Sequence, residues 1–154
     1  MSDKSDAIAA LETARRETME AIVGIPEEKM AVPAFGTWSV KDVLCHLASW
    51  EQLAIADLQR VGRGHVPQLA TFRMEEVDDW NAGLMRSRNL FPMPQVMFEL
   101  EDSRRRFLAA LNALPDGLLA AGQLARMLSD GLTNGERGHA AEFRQWRQQE
   151  ESAP

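Results

Sequence analysis

Apolar residues in this chain recur at steps of three and four positions over several long stretches, and this spacing constrains the fold more than any other feature. Residues at those steps lie on one face of an α-helix, whereas a half-buried β-strand requires alternation at every second position. No stretch of the sequence alternates convincingly in that way. The pattern therefore predicts an all-α protein without strands.

The limits of the predicted helices follow from the residues that interrupt helices, chiefly Gly and Pro. Helices are predicted over about 3–25, 39–62, 74–89, 95–114 and 132–149, four of them long and amphipathic, and 118–128 is predicted to be a short helix or a partly ordered connection. Amphipathic helices joined by sizeable connections are typical of a helical bundle. We therefore predict an antiparallel four-helix bundle with a short extra helical segment.

The helix that follows Ser39 has a clear start signal. Ser39 can accept a hydrogen bond from a backbone N–H of the first turn, and Asp42 lies three residues further on. This is the spacing of a capping box, with Asp in the place of the usual Glu, and it puts negative charge at the positive end of the helix dipole. We expect the helix to begin there.

Length and charge limit the classes of protein that fit. The 154 residues predict one domain, 1–154. The net charge of −6 argues against binding of nucleic acid, because contact with phosphates requires a basic surface. The run Arg104–Arg106 is followed at once by apolar residues, so it is predicted to be the solvated face of an amphipathic helix.

The expected location is the cytoplasm. Cys45 is the one cysteine, so no disulfide can form within the chain. Residues 1–6 lack the apolar core of a signal peptide, and no apolar run approaches the roughly 20 residues that a membrane span needs.

Successive helix residues point in different directions, so Cys45 does not share the face of His46 and is predicted to pack rather than react.

Two of the three histidines lie on apolar helix faces. His46 is four residues before Trp50, and His139 is four residues before Phe143, so both are predicted to point inward. Inward histidines on separate helices are one way in which a bundle builds a metal or acid–base site, although each could also be a hydrogen-bonded core residue. The third, His65, lies in a loop of Gly and Pro residues and is expected to be exposed.

Four segments resemble the DinB-like superfamily, in particular its ClbS/DfsB branch. The first is Trp38–Glu51, which reads W-S-V-K-D-V-L-C-H-L-A-S-W-E. The others are Trp80–Asn81, Ser103–Leu119 and His139–Arg147, and they follow in the right order. The resemblance implies an up-down-down-up four-helix bundle, often a homodimer. It also implies a divalent metal held by three histidines, one from the second helix and two, spaced four apart, from the last.

This sequence has two histidines where the resemblance implies three. His46 matches the ligand of the second helix, and His139 matches one of the pair on the last helix. The missing partner position is Gly135 or Phe143, of which the resemblance favours Gly135. A divalent Ni, Zn or Fe ion would then be held weakly or not at all, because a catalytic metal site usually has three protein ligands.

Several other side chains are candidates for the same pocket. A carboxylate of Glu142, Glu136 or Glu51 could complete a metal site, although each is more commonly a solvated surface acid. Gly135 leaves room beside His139 for a water or a ligand atom. Asn81 could hydrogen-bond a ligand or a neighbouring loop, and Trp50 and Trp146 could wall the pocket or pack in the core. The predicted pocket consists of Trp50, Asn81, Gly135, Glu142, Phe143 and Trp146 around the metal candidates His46 and His139.

Three functions remain open from the sequence. The first is a metal-dependent hydrolase or transferase acting on a small molecule with an incomplete three-histidine site. The second is a non-catalytic protein that binds or sequesters a small molecule, as a resistance protein does, with a vestigial metal site. The third is a structural dimer whose pocket has no role. The expected partners are a small-molecule ligand and a second copy of the chain, with no membrane contact.

Overall fold

A computed structural model describes residues 3–88, 90–119 and 122–153, and these residues form an all-helical structure. The α-helices are α1 (Asp3–Ile22), α2 (Glu27–Met30), α3 (Val40–Gly62), α4 (Met74–Arg88), α5 (Met93–Ala113), α6 (Gln123–Arg126) and α7 (Asn134–Ser152). Single 3₁₀ turns cover Leu69–Thr71 and Asp116–Leu119, and a π-helical segment covers Met127–Thr133. No strand forms within these ranges, and an isolated bridge joins Phe35 and Trp38.

The observed helices differ from the predicted ones mainly at their ends. α1 ends at Ile22 rather than near residue 25, because Gly24 adopts a φ of +81° that a helix cannot continue through. The predicted end of the third long helix, Asn89, lies outside the described residues. The last helix was predicted to begin at Leu132, which instead lies in the π-helical segment. Among the described helices, none is both long and apolar enough to cross a bilayer.

The predicted capping box is confirmed at the start of α3. The backbone N–H of Asp42 donates to Oγ of Ser39 at 3.1 Å, and the backbone N–H of Ser39 donates to Oδ2 of Asp42 at 2.9 Å. Both donors would otherwise lack a partner in the first turn. The cap therefore fixes where α3 begins, and with it the register of the helix that carries His46.

Two apolar clusters form the core, and α3 and α5 cross both of them. α3 packs along α5, and α1 packs along α7. One cluster contains Val43, Leu100 and Phe143, and the other contains Leu58 and Phe107. On α1, α3, α5 and α7, a charged residue lies on the apolar stripe, and three of these four residues are buried.

These charged residues form a closed set that we call the charge ring: Arg15 of α1, Glu51 of α3, Arg104 of α5 and Glu136 of α7. Arg15 pairs with Glu51 at 2.7 Å and with Glu136 at 2.6 Å. Arg104 pairs with Glu51 at 2.5 Å and with Glu136 at 2.7 Å. Two positive and two negative charges therefore balance inside the protein, where an unpaired charge would be costly.

The burial of Arg104 corrects the prediction that the run Arg104–Arg106 is a solvated face. Arg104 is only 7% exposed, whereas Arg105 and Arg106 do lie at the surface. Arg104 is four residues after Leu100 and three before Phe107, so the helical repeat places it on the buried stripe of α5. Glu51 and Glu136 are likewise buried, at 3% and 2% exposure, rather than being surface acids.

Candidate functional site

A cavity of about 290 Å³ lies between α3, α4, α7 and the π-helical segment. Its lining is apolar over much of the surface, with two histidines and part of the charge ring completing it. The lining residues are His46, Leu47, Trp50, Glu51, Leu69, Val77, Arg104, Met127, Gly131, Leu132, Gly135, Glu136 and His139. Such a mixture, mainly apolar with a few polar groups, is typical of small-molecule sites.

The structure brings His46 of α3 and His139 of α7 together in this cavity. Their ring centroids are 5.3 Å apart, and the ring planes are close to perpendicular, at 80°. The ring of His46 also lies 5.3 Å from Trp38 and 6.0 Å from Trp50. The two imidazoles are therefore close enough to contact the same bound atom or small molecule.

Asn81 of α4 holds His46 in place. Its Oδ1 lies 3.0 Å from Nδ1 of His46 and accepts a second hydrogen bond from Nε1 of Trp50 at 2.8 Å. Burial, and to a lesser extent the nearby His139, lowers the pKa of His46 to about 4, although the contact with Asn81 opposes both effects. His46 is therefore uncharged at neutral pH.

His139 has fewer hydrogen-bond partners than His46. Its Nδ1 is buried and has no hydrogen-bond partner among the described residues. The nearest carboxylate, Oε1 of Glu142, is 3.7 Å away, which is too far for a hydrogen bond. Burial lowers the pKa of His139, while Glu142 and Glu136 raise it. An unsatisfied buried polar atom costs about 1–3 kcal/mol, so this ring has energy to gain from a polar partner.

The other predicted pocket residues have different positions. Trp50 and Gly135 line the cavity, and Asn81 lies behind His46 rather than on the wall. Glu142 is largely exposed. Phe143 is fully buried in the core and contacts Phe35, so it is not a wall of the cavity.

Trp146 also lies away from the cavity, where it packs on Phe35 and borders a separate surface groove with Gly24 and Pro26. The reason is the direction of α7. The cavity lies along its first turns, next to Gly135 and Glu136, whereas Trp146 is about two turns beyond His139.

Several residues of the site were missed from the sequence. Leu69 reaches the cavity because the buried carboxylate of Asp57 accepts the backbone N–H groups of Gln68 and Leu69, both at 2.7 Å. Met127 and Gly131 reach it through the π-helical segment, which has no simple sequence signature. The charge ring did have a signal, since each of its members interrupts an apolar stripe at helical spacing.

Cys45 and His65 were predicted to lie outside the pocket, and both do. Cys45 is buried, away from the lining of the cavity, and burial raises the pKa of its thiol to about 11. A thiol so rarely ionised is a poor nucleophile. His65 is exposed in its loop.

The donor set does not fit the three-ligand metal site that the resemblance implies. The described residues contain no group of three or more His, Cys, Asp or Glu side chains positioned to hold a metal ion. The cavity has two imidazoles, and Nδ1 of His46 is already engaged by Asn81. At Gly135 the space that a third ligand side chain would need is open: nothing lies within 4 Å of where a Cβ would be.

The fold and the cavity define an all-helical protein with a histidine-lined pocket between its helices. Residues 10–147 match the model of the DinB superfamily, and the chain belongs to that superfamily. A solved structure of an uncharacterised protein from Escherichia coli UTI89 has a TM-score of 0.77 at 16% identity. That match covers 98% of this chain and 96% of the other. A comparison with curated proteins gives no match.

Proposed function

We propose that this protein binds a small, uncharged and mainly apolar molecule in the cavity beside His46 and His139. The observation that carries the proposal is the cavity itself, about 290 Å³ of space bordered by apolar side chains and two histidines. Sites for small molecules commonly start at roughly 300 Å³, so the ligand is compact. The apolar contacts come from Leu47, Trp50, Leu69, Val77, Met127 and Leu132.

The charges around the cavity favour an uncharged ligand. Glu51, Glu136 and Arg104 border the space, but each is paired within the charge ring. Burial keeps His46 neutral at physiological pH. A charged ligand would lose its hydration without gaining a free counter-charge, which is unfavourable.

Four further predictions that the resemblance implies are part of this proposal. They are membership of the ClbS/DfsB branch, the up-down-down-up four-helix arrangement, a homodimer, and a role as a sequestering or resistance protein. Neither metal nor catalysis is needed for that role. Light scattering on the purified protein measures the oligomeric state independently of any ligand.

A second candidate function is an enzyme of the hydrolase or transferase type. The observation in its favour is the unpartnered Nδ1 of His139 next to a second imidazole. The pair could move a proton to or from a bound substrate. Metal analysis of the purified protein tests the metal-dependent form of this function: about one equivalent of Ni, Zn or Fe, lost in His46→Ala and in His139→Ala, would favour it over simple binding.

The binding proposal is tested by filling the cavity from Gly135. Gly135 lines the cavity and a Cβ there meets nothing within 4 Å, so Gly135→Leu should extend into this open space without disturbing the helix. Gly138→Leu is the matched control, because Gly138 is an exposed glycine of the same helix with equally open surroundings that does not line the cavity.

The probes are indole and benzothiophene, two neutral bicyclic compounds of similar shape, and binding is measured by calorimetry and by ligand-observed NMR. We expect at least one of them to bind the wild type and the Gly138→Leu variant with similar affinity. We expect binding to Gly135→Leu to be weakened at least about tenfold, since the lost contacts are worth over 1 kcal/mol. Equal binding to all three proteins, or no binding to the wild type, would overturn the proposal.

A further inference from the structure

We infer that the cavity selects ligands that carry a hydrogen-bond donor, and that Asn81 sets this preference by fixing which nitrogen of His46 bears the proton. This inference rests on the proposed function and adds the ligand class to it. It makes Asn81, which does not line the cavity, a positioning residue for the site.

The hydrogen-bonding capacity of Trp50 decides which atom of the Asn81 amide faces it. An indole N–H can donate but cannot accept. The atom of Asn81 that faces Nε1 of Trp50 at 2.8 Å must therefore be the amide oxygen and not the amide nitrogen. Trp50 thus fixes the orientation of the Asn81 side chain, an assignment that the heavy-atom positions of an amide alone do not provide.

The orientation of Asn81 in turn decides which nitrogen of His46 carries the proton. Nδ1 of His46 lies 3.0 Å from the same oxygen. Two acceptors would repel each other at that distance, so Nδ1 must carry a proton and donate to Asn81. A neutral imidazole has one N–H, which leaves Nε2 as a lone-pair acceptor. The buried ring is neutral at physiological pH, as described above.

Nε2 of His46 faces away from Asn81. Nδ1 is directed at Asn81, so Nε2 lies on the other side of a ring that borders the cavity. None of the hydrogen bonds described for residues 3–88, 90–119 and 122–153 uses this atom. The wall of the cavity therefore presents an acceptor without a protein donor.

The carboxylates beside the cavity do not provide a competing acceptor. In Glu51, Oε1 accepts from Arg15 and Ser103, and Oε2 accepts from Arg104. In Glu136, the two oxygens accept from Arg15 and Arg104. Each of these oxygens is therefore already engaged within the charge ring, whereas Nε2 of His46 has no protein donor and is available to a ligand, beside the unpartnered Nδ1 of His139.

The ligand class that follows is a neutral molecule with an apolar body and one hydroxyl, N–H or thiol group that can donate to Nε2 of His46. A ligand without such a group would bury Nε2 unsatisfied, which is more costly than never forming the bond. The two probes differ in this respect, because indole has an N–H where benzothiophene has a sulfur.

The binding experiment compares the two probes in the wild-type protein and in variants. Benzothiophene is the more apolar compound, so a purely apolar cavity would bind it more tightly. We expect the wild type to bind indole about three- to tenfold more tightly than benzothiophene. Asn81→Leu should remove most of this preference, and Asn112→Leu, at an exposed asparagine of α5, should leave it unchanged.

A second measurement needs no ligand, and its main result comes from the wild type. Long-range ¹⁵N–¹H NMR correlations distinguish the two neutral tautomers of a histidine ring. At pH 7.5 we expect His46 of the wild type to be the Nδ1–H tautomer, and we expect a mixture of tautomers in Asn81→Leu if that variant folds. A loss of packing alone would not change which nitrogen carries the proton.

The outcomes separate this inference from the proposed function. If both probes bind equally, or benzothiophene binds better, while Gly135→Leu blocks both, the pocket is real and the donor preference is wrong. An Nε2–H tautomer in the wild type overturns the inference by itself. If neither probe binds the wild type, the proposed function fails and the inference fails with it.

Discussion

At the residue scale, the properties of the site are set by the hydrogen-bond partners and the burial of each polar side chain. His46 is the example with the widest consequences. Asn81 engages one of its nitrogens, and burial among aromatic rings disfavours its charged form. The same type of residue at position 65, exposed in a loop, has none of these constraints.

The lowered pKa of His46 makes the stability of the protein depend on pH. The unfolded chain takes up a proton at this residue near pH 6.5, whereas the folded protein does so only near pH 4. Between these values the unfolded state binds more protons at His46, so this residue makes the free energy of unfolding fall as the pH is lowered from 6.5 towards 4.

His46→Gln, which cannot ionise, should show a smaller loss of stability over this range, by on the order of 2 kcal/mol. Urea unfolding of both proteins at pH 7 and pH 4.5 measures the difference, and the carboxylates common to both cancel in the comparison. An identical pH dependence in the two proteins would show that His46 is not neutral in the folded state.

At the element scale, the helices differ in how they are attached. α3 buries many of its residues, whereas Leu84 is the one residue of α4 (Met74–Arg88) that is buried. α4 is held by few buried apolar residues and by several polar contacts. Asn81 bonds to α3, and Arg88 bonds to Ser49 at 2.5 Å and to Gln52 at 3.2 Å. α4 should therefore open more easily than α3, although it carries the residue that positions His46.

Native-state hydrogen exchange tests this difference. Amides of α4 should exchange through openings of lower free energy than those of α3, because less apolar surface is exposed when α4 detaches. Arg88→Met should speed exchange in α4 by about tenfold, the effect of losing hydrogen bonds worth over 1 kcal/mol. Arg86→Met, at an exposed position of the same helix, should have no such effect. Equal protection of α3 and α4 would contradict this description.

The π-helical segment shows how an element can shape a site without contributing a reactive group. Its wider turn precedes α7 and brings Met127, Gly131 and Leu132 to the cavity. Segments of this kind are rare and are often found at functional sites. Gly135 of α7, one turn after Gly131, leaves open the space in which a third ligand side chain would lie.

At the scale of the whole molecule, the charge ring is the feature that joins α1, α3, α5 and α7. α1, α3, α5 and α7 contribute one charge each, so the ring closes only when all of them are in register. A displacement of any helix by one residue would bury an unpaired charge. The ring therefore specifies one arrangement of the helices, whatever its net contribution to stability.

A double-mutant cycle on Arg15 and Glu136 measures this coupling. Each single replacement, Arg15→Met or Glu136→Gln, leaves an uncompensated buried charge and should cost about 3–5 kcal/mol. The double replacement restores charge balance, so its cost should fall short of the sum by about 1–3 kcal/mol. Urea unfolding at pH 7 provides all of these values.

The control cycle uses Glu17 and Arg137, a pair that joins the same two helices, α1 and α7, at the surface. Its N–O distance is 3.3 Å, and the side chain of Arg137 is 55% exposed. Solvent screens such a pair, so its coupling should be below about 1 kcal/mol. Equal coupling in the two cycles would mean that the buried ring has no special role in joining the helices.

Local signals in the sequence were sufficient for much of the fold. The helical repeat located the long helices, the Ser39 cap located the start of α3, and the spacing around His46 and His139 put both on inward faces. The Arg104 prediction was wrong because a charged side chain was assigned to solvent by its type, although its spacing from Leu100 and Phe107 placed it on the buried stripe.

Periodicity and capping act over a few residues, so the sequence by itself determined the helices, their apolar faces and most of their ends. Only the tertiary structure decided which faces meet. It paired the charges of distant helices, brought Asn81 behind His46, left Phe143 and Trp146 away from the cavity and opened the space beside Gly135. The physical reason is that these contacts depend on side-chain volumes and hydrogen bonds between residues far apart in the chain, which no local pattern encodes.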